Sequence, residues 1–373
     1  MKRKSKKAII VQIITVIAFF LFLTLPTIQA VAHELRDSDN SEEEGLAKLP
    51  KLESISLSSF STYLKAIEAF FNERVGAHNE IVRVYNRITF QLFRVSPLPA
   101  VIVGEEGWLF YNSPTDGVSL SDFYGQSMYT DEELAAIKKH LLALDTTLSA
   151  KGVQFIVVLV PNKHTIYPEF LPDSVLERKS SQTRADQLAE AFSSTSLTYI
   201  DLRQPLLSAK VSFSYPIYYK TDTHWNQLGA FVGYQAIMTE VVKDYPNASI
   251  PTLDTYSLEC TNDFIKGDLS IMLNAEGILP DSKIVLQNTP PMIATELQNS
   301  NAGKTIRMTT ENSSLPSVIV FGDSFMTALR PVLADGFSTS LFQRQPRVSM
   351  DIITNENPDV VIFEVVERYS DNL

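Results

Sequence analysis

Apolar positions along the chain follow two spacings, and the change from one to the other marks the elements. Between residues 60 and 93 they recur every three or four positions: Tyr63, Ile67, Phe70 and Phe71, then Ile81, Val84, Ile88 and Leu92. This spacing predicts helices over Phe60–Phe71 and His78–Phe93. Ala100–Val103 and Trp108–Tyr111 are short apolar runs around Gly104-Glu105-Glu106-Gly107, the pattern of a hairpin. Thr130 followed by Glu133 is a capping box, with Tyr129 and Leu134 as its hydrophobic staple, and the helix runs to about Leu148 before Gly152 stops it. Phe155–Val160 is continuously apolar, as in a parallel strand covered on both faces. Helix Ser181–Phe192, strand Leu197–Ile200 and the amphipathic helix Trp225–Tyr245 continue the alternation. Ile250–Pro316 is Asn-, Thr- and Pro-rich and shows no clear period, with Glu311–Ser314 as a surface loop. Strand Ser317–Phe321, helix Phe325–Leu333 and strand Val360–Val366 complete the pattern. Strands alternating with helices predict an α/β fold, a mostly parallel sheet flanked by helices.

Upstream of these elements, Met1–Lys7 carries five basic residues, and Ala8–Leu25 follows without a charge. As a helix those 18 residues would span about 27 Å, close to the hydrocarbon core of a bilayer. Basic residues stay on the cytoplasmic side, so the rest of the chain is expected to be exported. Pro26 and the small-x-small sequence Ala30-Val31-Ala32 fit a cleaved signal peptide, whereas the length of the run fits an uncleaved anchor. Residues 33–59 are polar, with Glu42-Glu43-Glu44-Gly45, and have too little apolar surface to offset the entropy of ordering them. The expected organisation is a signal peptide or membrane anchor over 1–32, a flexible stalk over 33–59 and a catalytic domain over 60–373. The catalytic domain is then extracytoplasmic, in the periplasm or at the cell surface, anchored or secreted.

The net charge of −11 becomes −16 once the basic residues 1–32 are set aside. A surplus of acid argues against nucleic acid as a partner. One cysteine, Cys260, excludes an intramolecular disulfide and a thiolate metal cluster.

Two stretches carry chemistry. In Phe321-Gly322-Asp323-Ser324-Phe325 a buried strand runs through Gly-Asp-Ser into a helix, which puts Ser324 at the carboxyl edge of the sheet, where ligand sites of open α/β sheets lie. Unpaired N–H groups at such a helix start could stabilise an oxyanion, although Asp323 or Ser324 could equally serve as a simple helix cap. In Tyr219-Lys220-Thr221-Asp222-Thr223-His224-Trp225-Asn226, an extended backbone would bring Asp222 and His224 to one side, carboxylate beside imidazole, the base half of a Ser–His–Asp device. Asp-x-His also fits a metal pair, but no nearby acid or histidine completes a ligand set, so no metal and no cofactor are expected. His164 could be recruited to such a set from the loop Pro161-Asn162-Lys163-His164, the weaker option.

At these residues the sequence resembles the alginate O-acetylation proteins of the bacterial envelope, whose domain is similar to a circularly permuted SGNH hydrolase. The resemblance is carried by Gly104–Tyr111, Val160–Pro168, Tyr219–Asn226 with Gly229, Phe321–Phe325 and Glu364–Tyr369. Both tryptophans, Trp108 and Trp225, fall inside these stretches. It implies Ser324 as acyl-accepting nucleophile, His224 as its base and Asp222 as the residue orienting His224. Lys163, Tyr219, Asn162 and Arg368 become candidates for lining the substrate site. It further implies a polysaccharide acceptor and an acetyl donor delivered by a membrane-bound, multispanning acyltransferase. Some members append a carbohydrate-binding domain; here capture of the polymer is expected to fall to the catalytic domain or a partner. A charge of −16 offers no general attraction for a polyanion such as alginate, which leaves a neutral exopolysaccharide equally open.

Three functions are compatible with these residues. The first is an O-acetyltransferase working through a serine acetyl-enzyme, the second an acetylesterase in which water replaces the sugar, and the third a non-catalytic glycan-binding scaffold of the envelope. The scaffold leaves Asp222, His224 and Ser324 unexplained.

Overall fold

The computed structural model describes residue 65, residues 78–112, residue 117, and residues 119–263, 266–288, 294–300 and 302–373. The expected signal or anchor, the stalk and all but Lys65 of the helix over Phe60–Phe71 lie outside the described residues. No helix among the described residues is long and apolar enough to cross a membrane. Two compact units are separated at Ile88/Thr89, and the sheet belongs to the second, Thr89–Leu373.

Helix α1 (His78–Phe93) is followed by the hairpin β1 (Val101–Val103) and β2 (Leu109–Tyr111), both as the sequence predicts. The chain continues through α2 (Asp131–Ser149), β3 (Gln154–Val160), α3 (Arg184–Phe192), β4 (Thr198–Asp201), α4 (Arg203–Ser212) and α5 (Gln227–Asp244). Thr130 caps α2 through the expected capping box with Glu133. The stretch without a clear period holds β5 (Tyr256–Asp263), β6 (Asp281–Asn288), β7 (Thr295–Ser300) and β8 (Thr305–Thr309). The last elements are β9 (Val318–Gly322), α6 (Met326–Leu333), β10 (Thr339–Arg344), α7 (Met350–Glu356) and β11 (Val360–Val366).

Among the described residues, seven strands form the main sheet in the order β4-β3-β11-β9-β10-β8-β7. The expectation of a mostly parallel sheet is corrected to a mixed one. β4, β3, β11, β9 and β10 pair in parallel, whereas β8 and β7 extend the edge antiparallel, and β1–β2 and β5–β6 form separate antiparallel hairpins. The antiparallel strands β5 to β8 come from the segment whose polar composition conceals them: β7, Thr-Glu-Leu-Gln-Asn-Ser, is exposed along most of its length.

Alternate residues of the central strands serve two cores, as the two-residue period of a strand requires. Ile156, Val158, Val320 and Ile362 pack with Leu228, Phe231 and Ile237 of α5 on one face. Phe155, Val157, Ile319 and Phe363 pack on the other with Leu141 and Leu148 of α2 and Leu188 of α3. This three-layer arrangement makes the parallel strands rigid, and it is their carboxyl ends that carry Asn162, Ser324 and Arg368.

Candidate active site

Ser324 owes its freedom to the residue before it. Asp323 Oδ1 accepts from the Phe325 N–H at 2.9 Å and Oδ2 from the Val366 N–H at 2.8 Å. The first bond is an Asx turn at the entry to the following helix, and the second ties the turn to the end of β11. With Asp323 holding the backbone of the turn and Phe325 standing at the N-cap without a side-chain cap, the Ser324 hydroxyl is left to pair elsewhere.

The partner is His224. Its Nε2 lies 2.7 Å from Ser324 Oγ, and its Nδ1 lies 2.7 Å from Asp222 Oδ1. Asp222 and His224 share a face for a reason other than the extended backbone expected from sequence. The loop folds back on itself, with Tyr218 bridged to Trp225 and the Tyr219 N–H donating to the His224 carbonyl at 3.2 Å. Within it the His224 N–H donates to Asp222 Oδ1 at 3.0 Å, an Asx turn that sets carboxylate against ring.

The loop is clamped from several sides. Lys163, 4% exposed, donates its ammonium to the carbonyls of Tyr219 at 3.0 Å, Lys220 at 3.1 Å and Asp222 at 2.6 Å. Asp281 accepts from both the N–H and the hydroxyl of Thr221, each at 2.8 Å. The Trp225 indole donates to the Phe325 carbonyl at 2.9 Å, joining the histidine loop directly to the serine turn. A Cβ on Gly229 would come within 2.3 Å of the Ile217 carbonyl oxygen, so a glycine is needed where α5 passes the loop.

Of the residues expected to line the site, Lys163 takes another role: an ammonium with three carbonyl partners has no donor left for a ligand. Tyr219 is half-buried and contributes its backbone to the clamp. Asn162 and Arg368 are buried side by side, Arg368 Nη1 donating to Asn162 Oδ1 at 3.3 Å. The Arg368 guanidinium also lies 5.3 Å from the Phe325 ring. The Asn162 amide nitrogen has no hydrogen-bond partner among the described residues. His164 faces the Phe123 ring and is not among the ligand atoms gathered around Asp222 and His224; burial drives its imidazole down to about 3, so it stays neutral.

Sequence reading overlooked Asp268 and Asp281, which sit in the stretch without a period; the signal available there was Gly267-Asp268 opening a short helix. Asp268 also corrects the expectation that no acid completes a ligand set around Asp222 and His224, since ligand atoms of the three lie within 4.8 Å of one another. Their oxygens are already taken by N–H and O–H donors. Asp222 Oδ2 accepts from the Asp268 N–H at 2.9 Å, and the Asp268 oxygens accept from the N–H and hydroxyl of Thr223.

Burial opposes the charge on Asp222, but the hydrogen bond and charge of His224 outweigh it and hold the carboxyl below its ordinary value. Burial pushes Lys163 down to about 8, with Asp222, Asp268 and Asp281 resisting. Below the serine turn, burial and the charge of Asp323 hold the Glu364 carboxyl far above its ordinary value, and its Oε2 accepts from the Asp323 N–H at 3.2 Å. Beside Ser324 opens a cavity of about 650 Å³, with the exposed cations Lys304 and Arg344 on its rim.

Residues 101–343 match the family model described as the SGNH hydrolase-like domain of acetyltransferase AlgX. A probable alginate O-acetylase AlgJ of Pseudomonas syringae pv. tomato is 24% identical over 340 residues, 84% of this chain and 82% of its own. Its namesake from Pseudomonas putida is 26% identical over 325 residues, 82% of this chain and 79% of its own. Among solved structures, Bacillus cereus PatB1 with a sulfonyl adduct aligns at a TM-score of 0.53 and 18% identity, covering 72% of this chain and 96% of that one. A DHHW family protein from Eubacterium siraeum aligns at 0.51 and 17%, covering 74% and 96%. At such identities these two likenesses speak to the fold.

The buried acids give the site a measurable pH signature. Burial raises Glu367 from 4.5 to about 7, although it accepts from the Asn162 N–H at 2.8 Å and the Thr165 hydroxyl at 2.7 Å. A carboxyl raised on folding contributes stability that is complete below pH 4.5 and is lost as the pH climbs through 7. Glu367→Gln is expected to gain on the wild type by about 1–3 kcal/mol between pH 5 and 8, read from paired urea unfolding curves.

Proposed function

The chain belongs to the SGNH hydrolase-like acetyltransferase family of AlgX, and we propose that it carries acetyl groups through Ser324 to hydroxyls of a polysaccharide outside the cytoplasm. The observation that carries the serine step is the unbroken hydrogen-bond chain Asp222–His224–Ser324, 2.7 Å at each link. As Ser324 Oγ attacks the acetyl carbonyl of the donor, His224 Nε2 takes the hydroxyl proton, and Asp222 steadies the resulting imidazolium. The tetrahedral intermediate collapses with loss of the donor's leaving group, which receives the proton from His224. A sugar hydroxyl then gives its proton to His224 and attacks the acetyl-serine, which restores Ser324.

The oxyanion needs donors that are in place before the reaction. The Ser324 N–H is one, and the Asn162 amide, buried with its nitrogen unpartnered among the described residues, is the second. The donor reaches the site from a multispanning membrane acyltransferase, and the segment 1–32 brings the domain to the same side of the membrane, as an anchor or as the leader that exports it.

The rim of the cavity bears on the acceptor. At physiological ionic strength a charge is felt over about 8 Å, so Lys304 and Arg344 beside Ser324 matter more to a bound sugar than the overall acidity of the chain. This favours an acidic glycan, a uronate polymer such as the alginate named for the curated relatives.

Ser324→Ala and His224→Ala are each expected to lower acetylation of polymer by roughly a thousandfold or more while keeping the wild-type unfolding midpoint. A folded Ser324→Ala protein that acetylates normally would overturn the serine step. Arg344→Gln with Lys304→Gln is expected to raise KM for a uronate polymer several-fold, an effect that shrinks with added salt. Hydrolysis of a small neutral acetyl ester serves as the control.

A further inference from the structure

The imidazole that activates Ser324 is held by more than one carboxylate. Asp268 stands 44 residues beyond His224, yet it reaches the same ring by two routes. Its backbone N–H donates to Asp222 Oδ2 at 2.9 Å, which fixes the carboxylate whose other oxygen takes His224 Nδ1. Its side chain accepts from the Thr223 N–H at 2.7 Å and from the Thr223 hydroxyl at 2.5 Å. A hydroxyl whose proton is committed to Asp268 turns a lone pair outward, and Thr223 Oγ1 lies 3.1 Å from His224 Nδ1. Asp268 Oδ2 itself is 3.6 Å from that nitrogen.

This contact is built into the fold. A Cβ on Gly267 would fall 2.3 Å from the Thr221 carbonyl oxygen and 2.7 Å from the Thr221 hydroxyl, so the turn carrying Asp268 sits directly on the histidine loop. The Ser270 N–H donates to the same Thr221 carbonyl at 3.1 Å.

We propose that Asp268 is a positioning residue for the acyl-transfer step, a second carboxylate that takes the Thr223 hydroxyl proton, so turning the Thr223 oxygen toward His224 Nδ1, and shares the charge formed on the imidazole. This rests on reading His224 as the base for Ser324. The other charged groups around the ring are Asp222 in front, Lys163 on the Asp222 carbonyl, Asp281 behind Thr221 and Arg368 across the Phe325 ring. Of these, Asp222 and Asp268 are the carboxylates within 4 Å of Nδ1. Asp268 is 39% exposed, so water screens its contribution and the effect is moderate rather than absolute.

The test uses the full-length chain and phenylmethanesulfonyl fluoride, which needs neither acetyl donor nor glycan. The Ser324 Oγ–S bond forms, the S–F bond breaks, fluoride leaves and His224 takes the serine proton. Asp268→Asn is expected to slow sulfonylation of Ser324 about tenfold and to move the low-field His224 Nδ1–H proton resonance upfield, with the thermal midpoint retained. Thr223→Val is expected to give the same loss, and Thr223→Ser to restore most of it. Labelling of Asp268→Asn at the wild-type rate with an unmoved resonance would overturn the proposal and leave the Ser324 reading intact. A folded Thr223→Val protein that reacts at the wild-type rate would also overturn it. Failure of wild-type Ser324 to be labelled would overturn the underlying reading, and this proposal with it.

Discussion

The site depends on one buried ammonium. Lys163 projects from the short helix after β3 into the concave side of the histidine loop, where three carbonyl oxygens converge on it. Removing a charge from water costs several kcal/mol even after the protein relaxes. Here that cost is offset by three hydrogen bonds, by the fields of Asp222, Asp268 and Asp281, and by the faces of Trp108 and Phe110, 5.7 and 5.4 Å away. A loop that would otherwise sample many conformations is thereby wound around a fixed point. Its carbonyls point inward to the cation, and Asp222 and His224 face the serine turn.

The serine turn is fixed by an equally economical device, made from acids. Asp323 bonds the Phe325 N–H just beyond Ser324 and the Val366 N–H at the end of β11, and Glu364 lies beneath it, its carboxyl held far above its ordinary value by burial and by the charge of Asp323. The two halves meet through Trp225, whose indole bonds the Phe325 carbonyl. Residues 100 positions apart are thus held at hydrogen-bond distance by contacts that lie outside the reacting atoms.

Much of this was legible from the sequence because the signals were local. The run Phe155–Val160, the capping box at Thr130 and the strand Val360–Val366 need only neighbouring residues to declare themselves, and each stands where expected. Asp222, His224 and Ser324 were legible because the chemistry that unites them demands those side-chain types. Lys163 was recognised as belonging near the site, but not as a clamp, since nothing in Pro-Asn-Lys-His says which carbonyls it will meet. The strands β5 to β8 were hidden for a different reason. β5 and β8 alternate, Tyr-Ser-Leu-Glu-Cys and Thr-Ile-Arg-Met-Thr, but these runs are short and set among Asn, Thr and Pro, and in β7 the exposed faces leave no apolar run to mark the strand. Asp268 and Asp281 were lost with them, and these are the residues that anchor the loop from the far side.

Charge shows the same contrast between the whole chain and one place in it. Residues 33–373 are strongly acidic, yet much of the acid near the site is turned inward to hold backbone and hydroxyl groups, while Lys304 and Arg344 face the cavity. The central claim is that acetyl passes through the Ser324 oxygen. Its most direct test is peptide mass spectrometry of the protein quenched after brief exposure to a chromogenic acetyl ester. The account predicts one added acetyl group on the peptide containing Ser324, absent from the Ser324→Ala protein; an acetyl group found elsewhere, or turnover with Ser324 never modified, would contradict it.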